Sequence, residues 1–223
     1  MTGIFLQARM DSTRLPGKAL LPLPGGTVAG HAMRALKLVK ADVHSLLTDD
    51  ESAASLRPHA EKEGFDLFIG PKEDVLARYC QAARHYGTDL VVRATGDNPL
   101  VSPGLALAIM DIHMKEQADL SHFLHIPLGT GVEVVGAEAL FRAEQSASDP
   151  FEREHITTYL YRNPSRFRVC EIPGPPSLRL SGIKVSVDTP GDYSLIRELY
   201  DDLYNGQPIE TENIVAWFRE KEK

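Results

Sequence analysis

Basic and hydroxyl side chains are concentrated in residues 9–18, directly after an apolar segment at residues 3–8. Three cations, two hydroxyls and a Pro-Gly pair fall within these ten residues. Backbone N–H groups in such a turn can form a concavity that binds anions, and Arg14 and Lys18 carry charge that can neutralise a triphosphate. A solvated basic loop is an equally good interpretation of the spacing alone. The loop is not a Walker A motif, because Ala19 follows Lys18 where that motif has Ser or Thr.

Two aspartates each follow an apolar segment that is predicted to be a strand. Asp97 comes after residues 89–95, within Gly-Asp-Asn-Pro, and Asp188 comes after residues 183–187. Two carboxylates at strand ends, with no Cys or His beside them, suit a hard, oxygen-preferring ion such as Mg²⁺. Structural alternatives stay open for both: Asp97 as a turn-forming side chain before Pro99, and Asp188 as a helix cap.

The histidines give weaker signals. His155 and Tyr159 are four residues apart, on one face of a helix predicted over residues 151–162. A ligand-binding role and a buried, satisfied histidine are comparable interpretations of His155. His122 and His125 are three apart, without a Cys or a third ligand nearby in sequence, so a zinc site is not expected.

Composition places the chain among ordinary globular proteins. Its 223 residues fit one domain, residues 1–223, and a net charge of −7 argues against a non-specific nucleic-acid binder. Because no apolar run reaches the roughly 18 residues of a membrane span and the start lacks signal-peptide features, we expect a cytoplasmic protein without a membrane partner. Cys80 and Cys170 are expected to be reduced thiols.

Short apolar runs alternate with segments of helical period, which is typical of βαβ units and a mostly parallel sheet. Such sheets bind ligands outside the carboxyl ends of their strands. Beyond residue 118 the alternation is less regular, although Thr189, Pro190 and Asp192 read as a capped helix start. Strands are predicted at residues 3–8, 43–48, 65–69, 89–95, 131–135, 166–172 and 183–187, and helices at 28–39, 51–63, 72–86, 103–115, 151–162 and from 189.

Residues 7–18 resemble the opening motif of the cytidylyltransferases that activate acidic sugars. These are the CMP-Kdo synthetase and acylneuraminate cytidylyltransferase relatives, and the closest resemblance is to the spore-coat polysaccharide SpsF-like branch. The resemblance continues in the same order through residues 93–100, 133–134, 154–157 and 187–192, and so covers nearly the whole chain. Two positions depart from the branch, with Asp11 where it usually has Gly and Asn98 where it usually has Cys or Glu.

The resemblance implies a three-layer α/β/α fold with a mostly parallel central sheet, of the glycosyltransferase-A-like type. It also implies a Mg²⁺-dependent reaction in which CTP and a sugar acid give a CMP-sugar and pyrophosphate, for surface polysaccharide biosynthesis. A homodimer is expected on the same ground, and the segment with Arg153, His155 and Arg162 is expected to face the sugar. The implied nucleotide-binding residues are Gln7, Ala8, Arg9, Ser12, Arg14, Lys18, Arg93 and Asp97. Of these, Arg14, Lys18 and Asp97 are the implied catalytic residues. The implied sugar-binding residues are Glu133, His155 and Tyr159, and the implied metal ligands are Asp97 and Asp188.

Two other functions are compatible with the same architecture. A glycosyltransferase would use a finished nucleotide-sugar, but such enzymes usually carry an Asp-x-Asp metal motif, which is absent from this sequence. A non-catalytic module that binds nucleotides or partners is the second alternative. On this interpretation Asp11 is a sign that catalytic activity has been lost.

Overall fold

The computed structural model describes residues 1–221, which form a mostly parallel seven-stranded sheet between two layers of helices. In chain order the strands are β1 (Thr2–Gln7), β2 (Pro22–Leu23), β3 (Gly26–Thr27), β4 (Val43–Thr48), β5 (Asp66–Ile69), β6 (Leu90–Thr95), β7 (Leu120–Leu124), β8 (Glu133–Gly136) and β9 (Val169–Pro173). The large sheet has the order β5-β4-β1-β6-β8-β7-β9, and β2 pairs with β3 in a separate hairpin. Within the large sheet only β8 runs antiparallel to its neighbours, β6 and β7. The predicted three-layer, mostly parallel fold is therefore confirmed.

Helices cover both faces of this sheet. They are α1 (Val28–Leu36), α2 (Asp50–Lys62), α3 (Val75–Tyr86), α4 (Pro103–Glu116), α5 (Ala137–Ser146), α6 (Pro150–Glu154), α7 (Thr158–Arg162), α8 (Pro190–Leu203) and α9 (Thr211–Lys221). One face packs on α1, α2 and α4, and the other packs on α3, α5 and α7. A third apolar cluster joins α8 and α9 to the β2–β3 hairpin and the start of α1.

The central strands are apolar on both faces because helices cover both. In β1, Ile4 and Leu6 face the layer of α1, α2 and α4, while Phe5 faces α3. All three side chains are fully buried. This double burial explains why continuous apolar runs, rather than alternating ones, marked β1, β4 and β6 in the sequence.

The start of α8 fixes the position of Asp188, the residue directly before the helix cap. Thr189 is the N-cap, its hydroxyl accepts from the Asp192 backbone N–H, and the Asp192 carboxylate accepts from the Thr189 N–H. Pro190 occupies the first turn, so the predicted capping box is confirmed. Because Thr189 is the cap, the alternative that Asp188 caps this helix is wrong, and the Asp188 side chain is directed to other partners.

Two predicted elements are wrong. The helix expected over residues 151–162 is two short helices, α6 and α7, separated at His155, whose ψ of 81° is outside the helical range. The break buries Ile156 and allows the Thr157 hydroxyl to donate to Glu133. The strand expected at residues 183–187 is an extended segment with one isolated bridge, between Leu128 and Lys184. Its alternating valines pack against α8 and α9 instead of a sheet neighbour.

Five elements of the described chain were not predicted: β2, β3, β7, α5 and α9. β7 contains His122 and ends at the loop that carries His125, so its apolar pattern is interrupted. Among residues 1–221, no helix combines the length and the apolar composition that crossing a membrane requires.

Candidate active site

On the face of the sheet that α3 covers, side chains change from apolar to polar toward the carboxyl ends of the strands. In β1, Phe5 is followed two residues later by Gln7. In β6, Val91 is followed on the same face by Arg93 and Thr95. The apolar core therefore ends before the strands do, and the last side chains are left to line a cleft.

The loop after β1 is folded by a tight turn. The Lys18 N–H donates to the Leu15 carbonyl at 3.2 Å, with Pro16 and Gly17 between them. Gly17 has a φ of +69°, which the third position of a type II turn requires and which glycine adopts without strain. The Gly17 N–H closes the loop onto the Met10 carbonyl at 3.0 Å. Lys18 then begins a short 3-10 helix, and its side chain points back over the strand ends.

Lys18 brings together the two aspartates predicted as metal ligands. Its Nζ lies 2.5 Å from Asp97 Oδ2 and 2.8 Å from Asp188 Oδ1. The Val187 N–H donates to the Asp97 carbonyl at 2.8 Å, which joins the two backbone segments. The Thr95 hydroxyl donates to Asp97 Oδ1 at 2.6 Å and fixes that carboxylate. Two carboxylates from distant parts of the chain thus converge on one cation.

Asp188 is surrounded by further basic groups. Lys184 Nζ lies 2.8 Å from Asp188 Oδ2, and Arg14 lies 3.2 Å from Asp188 Oδ1. Burial raises the pKa of Asp188, but the hydrogen bonds from Lys18 and Lys184 outweigh it and hold this pKa at about 2. The carboxylate is therefore ionised at neutral pH.

The pair Asp97 and Asp188 fits a divalent cation. Within residues 1–221, no three His, Cys, Asp or Glu side chains form a metal-binding group, so the pair would supply the protein's ligands alone. Mg²⁺ is commonly held in this way, by one or two carboxylates together with water and substrate phosphates. The Lys18 ammonium lies between the two carboxylates, at a position that attracts positive charge. The atoms that would bind the metal are all carboxylate oxygens, which are hard ligands.

The Asp11 carboxylate is compensated by neighbouring cations. It lies 2.9 Å from Lys72 Nζ and 3.4 Å from Arg9 Nε. The hydrogen bond from Lys72 lowers the pKa of Asp11. Lys72 also contacts Glu51 at 2.7 Å, so Asp11 and Lys72 connect the basic loop to the first turn of α2 and to the loop before α3.

A cavity of about 270 Å³ holds most of the predicted nucleotide-binding residues. It runs along the carboxyl ends of β1 and β6 and extends to α3. Gln7, Ala8, Arg9, Ser12, Arg14, Lys18, Asp97 and Asp188 line it, together with His155 and with Thr13, Ala19, Val75, Arg78, Thr95, Gly96 and Glu154.

A second cavity, of about 360 Å³, adjoins the first at Thr95. Arg93 and Glu133 lie in its wall, opposite each other on β6 and β8, with Arg93 Nη1 2.7 Å from Glu133 Oε2. The Tyr161 and Thr157 hydroxyls also donate to Glu133. Burial raises the pKa of Glu133, yet the Arg93 charge and these hydrogen bonds hold it below its ordinary value. Apolar residues and two histidines complete the lining: His122, Phe123, Leu124, His125, Ile126, Leu128 and Val132.

A family profile described as cytidylyltransferase matches residues 4–216 of this chain. The match spans both aspartates, the basic loop and all of the large sheet except the first two residues of β1. The chain belongs to the cytidylyltransferase family. It is accordingly a nucleotidyltransferase enzyme.

Individual relatives agree with the family. This cytidylyltransferase is 34% identical over 204 residues to the spore coat polysaccharide biosynthesis protein SpsF of Bacillus subtilis, covering 88% of this chain and 85% of SpsF. A solved cytidylyltransferase from Leptospira borgpetersenii has a TM-score of 0.91 at 28% identity, covering 99% of this chain and 95% of its own. A CMP-2-keto-3-deoxy-manno-octonic acid synthetase solved with CTP has a TM-score of 0.69 at 17% identity, covering 90% and 98%, and it shares the fold.

Three residues of this cytidylyltransferase are not placed as expected. Arg93 lies in the second cavity beside Glu133 instead of beside the basic loop. His155 is exposed in the first cavity, where its ring packs on Phe151 with centroids 4.3 Å apart. Tyr159 lines neither cavity: it is buried against Phe167, and its hydroxyl accepts a hydrogen bond from Arg166 at 2.6 Å. The expectation that His155 and Tyr159 share a helix face is wrong.

The sequence did contain a signal for two residues that were not predicted. Arg78 falls three residues after Val75 and beside Tyr79, so it interrupts the apolar face of α3 with a charge. Lys184 stands four residues before Asp188 in a segment that otherwise looks apolar. A cation at an inward-facing position is uncommon, and both residues prove to lie at the site.

Proposed function

We propose that this cytidylyltransferase transfers the cytidylyl group of CTP to a sugar acid and releases pyrophosphate, with Mg²⁺ as the metal and surface polysaccharide biosynthesis as the pathway class. The observation that carries the proposal is the convergence of Asp97 and Asp188 on Lys18, within the same cavity as the basic loop. The SpsF relative supports the polysaccharide role.

CTP would lie along the first cavity. Its triphosphate would meet Ser12, Arg14 and Lys18 in the loop, while its base would reach the end of β1 at Gln7 and Ala8. The Ala8 N–H and carbonyl are already bonded, to the Leu47 carbonyl and the Thr48 hydroxyl, so this strand end is rigid. A rigid floor favours a single orientation of the bound nucleotide.

The sugar acid would occupy the second cavity, because this cavity adjoins the first at Thr95 and is therefore next to the α-phosphate. The hydrogen-bond donors available to its carboxylate are those of the cavity wall, Arg93 and the two histidines. The earlier expectation that Arg153 and Arg162 face the sugar is wrong. Arg153 donates to Asp74, and Arg162 donates to Asp149 and Glu152, outside both cavities.

In the transfer, a hydroxyl oxygen of the sugar loses its proton to solvent water and forms a bond to the α-phosphorus, while the bond from that phosphorus to the bridging oxygen breaks and pyrophosphate leaves. Catalysis of this kind depends mainly on positioning and on charge stabilisation. Arg14 and Lys18 would donate to the oxygens of the departing pyrophosphate, where negative charge grows. A Mg²⁺ held by Asp97 and Asp188 would withdraw charge from the phosphate and acidify the attacking hydroxyl. Thr95 keeps Asp97 oriented for that role.

We further propose one nucleotidyltransferase domain over residues 1–223 and a cytoplasmic location. Support for one domain comes from the three apolar clusters, two of which pack on the faces of the large sheet while the third joins α8 and α9 to the start of α1. The free Cys80 and Cys170 fit a reducing compartment. The homodimer expected from the resemblance stays a prediction, which analytical ultracentrifugation would test.

Binding selectivity tests the nucleotide assignment. Thermal-shift titrations with CTP, UTP, ATP and GTP, each with Mg²⁺, should show the largest stabilisation with CTP. Lys18→Ala should reduce that stabilisation, and Lys40→Ala, at an exposed position, should not. A clear preference for a purine triphosphate would refute the cytidylyl assignment.

A further inference from the structure

The Lys18 ammonium lies where a metal ion shared by Asp97 and Asp188 would bind. Its Nζ is 2.5 Å from Asp97 Oδ2 and 2.8 Å from Asp188 Oδ1. A Mg²⁺ bound to the same Asp97 oxygen at about 2.1 Å could be no farther than about 4.6 Å from this ammonium, the sum of the two distances. Two cations so close to each other repel strongly at a site that is partly screened from water. The ammonium and a metal ion therefore compete for the same two oxygen atoms.

The other oxygen of each carboxylate is held independently of this ammonium. The Thr95 hydroxyl donates to Asp97 Oδ1 at 2.6 Å, and Lys184 Nζ lies 2.8 Å from Asp188 Oδ2. Lys184 also lies 2.8 Å from Asp192 in the first turn of α8, so it ties the Asp188 carboxylate to the start of that helix. If the ammonium moved away, Asp97 Oδ2 and Asp188 Oδ1 would still converge on one position.

The charges of this cluster already balance one another. It consists of three cations and three carboxylates joined by ion pairs: Arg14, Lys18 and Lys184 with Asp97, Asp188 and Asp192. Only 15% of the Lys18 side chain is exposed, together with 24% of Asp97 and 20% of Asp188, so bulk water and salt screen charge at their centre incompletely. A divalent cation that entered alone would leave the cluster with uncompensated positive charge. A triphosphate that entered with it would supply the compensating negative charge.

The ammonium can change partners while the loop stays in place. The Lys18 backbone is fixed on both sides, because its N–H donates to the Leu15 carbonyl and its carbonyl accepts from the Leu21 N–H at 3.3 Å. Its charge, by contrast, is carried at the end of a flexible four-carbon stem. Lys18 lines the first cavity together with Ser12 and Arg14 of the same loop. Phosphate oxygens bound by this loop would therefore lie within reach of the ammonium.

We propose that Lys18 is the counter-ion of Asp97 and Asp188 in the free protein and excludes divalent cations from the pair until a triphosphate binds and draws the ammonium onto its phosphates. The inference rests on the proposed function and describes how the metal site of that function is controlled. Lys18 then has two successive roles, first as a competitor of the metal ion and afterwards as a phosphate ligand. Because coupling between two ligands is reciprocal, CTP raises the affinity for the metal ion by the same factor as the metal ion raises the affinity for CTP.

The test measures Mn²⁺ binding by electron paramagnetic resonance, to the free protein and to the protein saturated with CTP, with chelation by CTP subtracted from a titration without protein. Mn²⁺ is the probe because it is paramagnetic and prefers the same oxygen ligands as Mg²⁺. Lys18→Met removes the charge and keeps an unbranched side chain, whereas Lys18→Arg keeps the charge. Lys40→Met, at an exposed position outside the site, is the control. Melting temperatures establish that each variant is folded.

In the free state Lys18→Met should bind Mn²⁺ at least about 10-fold more tightly than the wild type, because a unit charge a few ångströms from the metal has been removed. Lys18→Arg and Lys40→Met should bind it as weakly as the wild type does. The gained affinity should disappear when Asp188→Asn is added to Lys18→Met, since the gained site is the aspartate pair. Saturation with CTP should raise the Mn²⁺ affinity of the wild type by a larger factor than that of Lys18→Met.

Three outcomes would overturn the proposal: a free wild type that binds Mn²⁺ as tightly as its complex with CTP, a folded Lys18→Met without gained affinity, and a gain that survives Asp188→Asn. If Lys18→Met does not fold, Lys18→Gln takes its place with the same expected gain. Failure of the wild type to bind CTP with Mn²⁺ would refute the proposed function and, with it, the part of this inference that concerns the triphosphate. The comparison of the free proteins would even then decide whether Lys18 excludes the metal ion.

Discussion

At the scale of single residues, Lys18 is central to the candidate site. It begins the 3-10 helix after the type II turn, and its ammonium contacts both Asp97 and Asp188. A lysine in this place can neutralise the two carboxylates before substrate binds and donate to phosphate oxygens afterwards. The turn that positions it was readable from Pro16 and Gly17, whereas its contact with Asp188, 170 residues away, was not.

Lys18→Ala should lower kcat by roughly 100-fold or more, because the ammonium stabilises charge that grows in the transition state. A steady-state assay of pyrophosphate release at saturating CTP measures the effect. Lys40→Ala provides the matched control, since it removes one exposed lysine outside the site. An unaltered kcat in Lys18→Ala would remove Lys18 from the catalytic residues.

Arg78 and Tyr159 show where reasoning from the sequence succeeds and fails at this scale. The apolar face of α3 is predictable from its helical period. That period is defined by the apolar positions alone, so it does not indicate that Arg78 is buried on this face. The resemblance implied that Tyr159 binds the sugar, and its spacing from His155 predicted a shared helix face, which the break in the helix at His155 removes. Side-chain direction depends on backbone dihedral angles that the sequence pattern does not contain.

At the scale of elements, the site is assembled from the end of β6 and the start of α8. Asp97 follows the strand and Asp188 precedes the Thr189 cap, and the Val187 N–H bonded to the Asp97 carbonyl joins the two. Both elements were predictable, one as a doubly buried apolar run and the other as a capping box. That they meet was not predictable from local patterns, because it depends on the α8–α9 cluster packing against α1.

If Asp97 and Asp188 share one Mg²⁺, removing either charge should weaken the metal dependence strongly, and removing both should cost little more than removing one. Residues that act as a unit are non-additive in this way. The measurement is a Mg²⁺ titration of activity for Asp97→Asn, Asp188→Asn and the double variant. Asp111→Asn, on the exposed side of α4, serves as the control. Additive effects, or an unchanged Mg²⁺ dependence in both single variants, would contradict a shared site.

The contact between α1 and α8 should make stability depend on pH. His31 in α1 packs on Tyr200 with ring centroids 4.5 Å apart, and its Nε2–H donates to the Pro24 carbonyl. Burial, with a contribution from Arg34, lowers the pKa of His31 to about 4 from its ordinary 6.5. The unfolded chain therefore binds a proton first, and stability present above pH 6.5 is lost as the pH falls from about 6.5 to about 4.

The expected loss over this window is on the order of 3 kcal/mol in the free energy of unfolding. Urea denaturation at a series of pH values measures it. In His31→Gln, which removes the titrating group, the dependence in this window should be flatter by that amount. His59→Gln, at a half-exposed position of α2, should retain the wild-type dependence. Equal slopes in the wild type and His31→Gln would show that His31 does not titrate as described.

At the scale of the whole molecule, the alternation of strands and helices up to residue 118 predicted the parallel half of the sheet well. The remainder was predicted less well, because β8, β7 and β9 form one side of the sheet and polar residues of the second cavity interrupt the apolar pattern of β7 and β8. The same region is where the acceptor is proposed to bind. On that proposal, the identity of the sugar is determined by the part of the chain whose sequence pattern is least regular.

The two cavities differ in the chemistry of their linings. The first holds the cation-rich loop and the aspartates, and the second is mostly apolar with Arg93, Glu133 and two histidines in its wall. The match to the cytidylyltransferase profile over residues 4–216 argues against a glycosyltransferase that uses a finished nucleotide-sugar. The central claim is therefore that both cavities act in one transfer from CTP.

Release of pyrophosphate from CTP in the presence of Mg²⁺ and a panel of sugar acids tests this claim most directly, with neutral sugars and no sugar as controls. We predict release that depends on one sugar acid and on Mg²⁺, with a CMP-sugar of matching mass in equal amount. Release with neutral sugars alone would contradict an acidic acceptor. No acceptor-dependent release from CTP across the panel, in a protein that binds CTP, would contradict the transferase account.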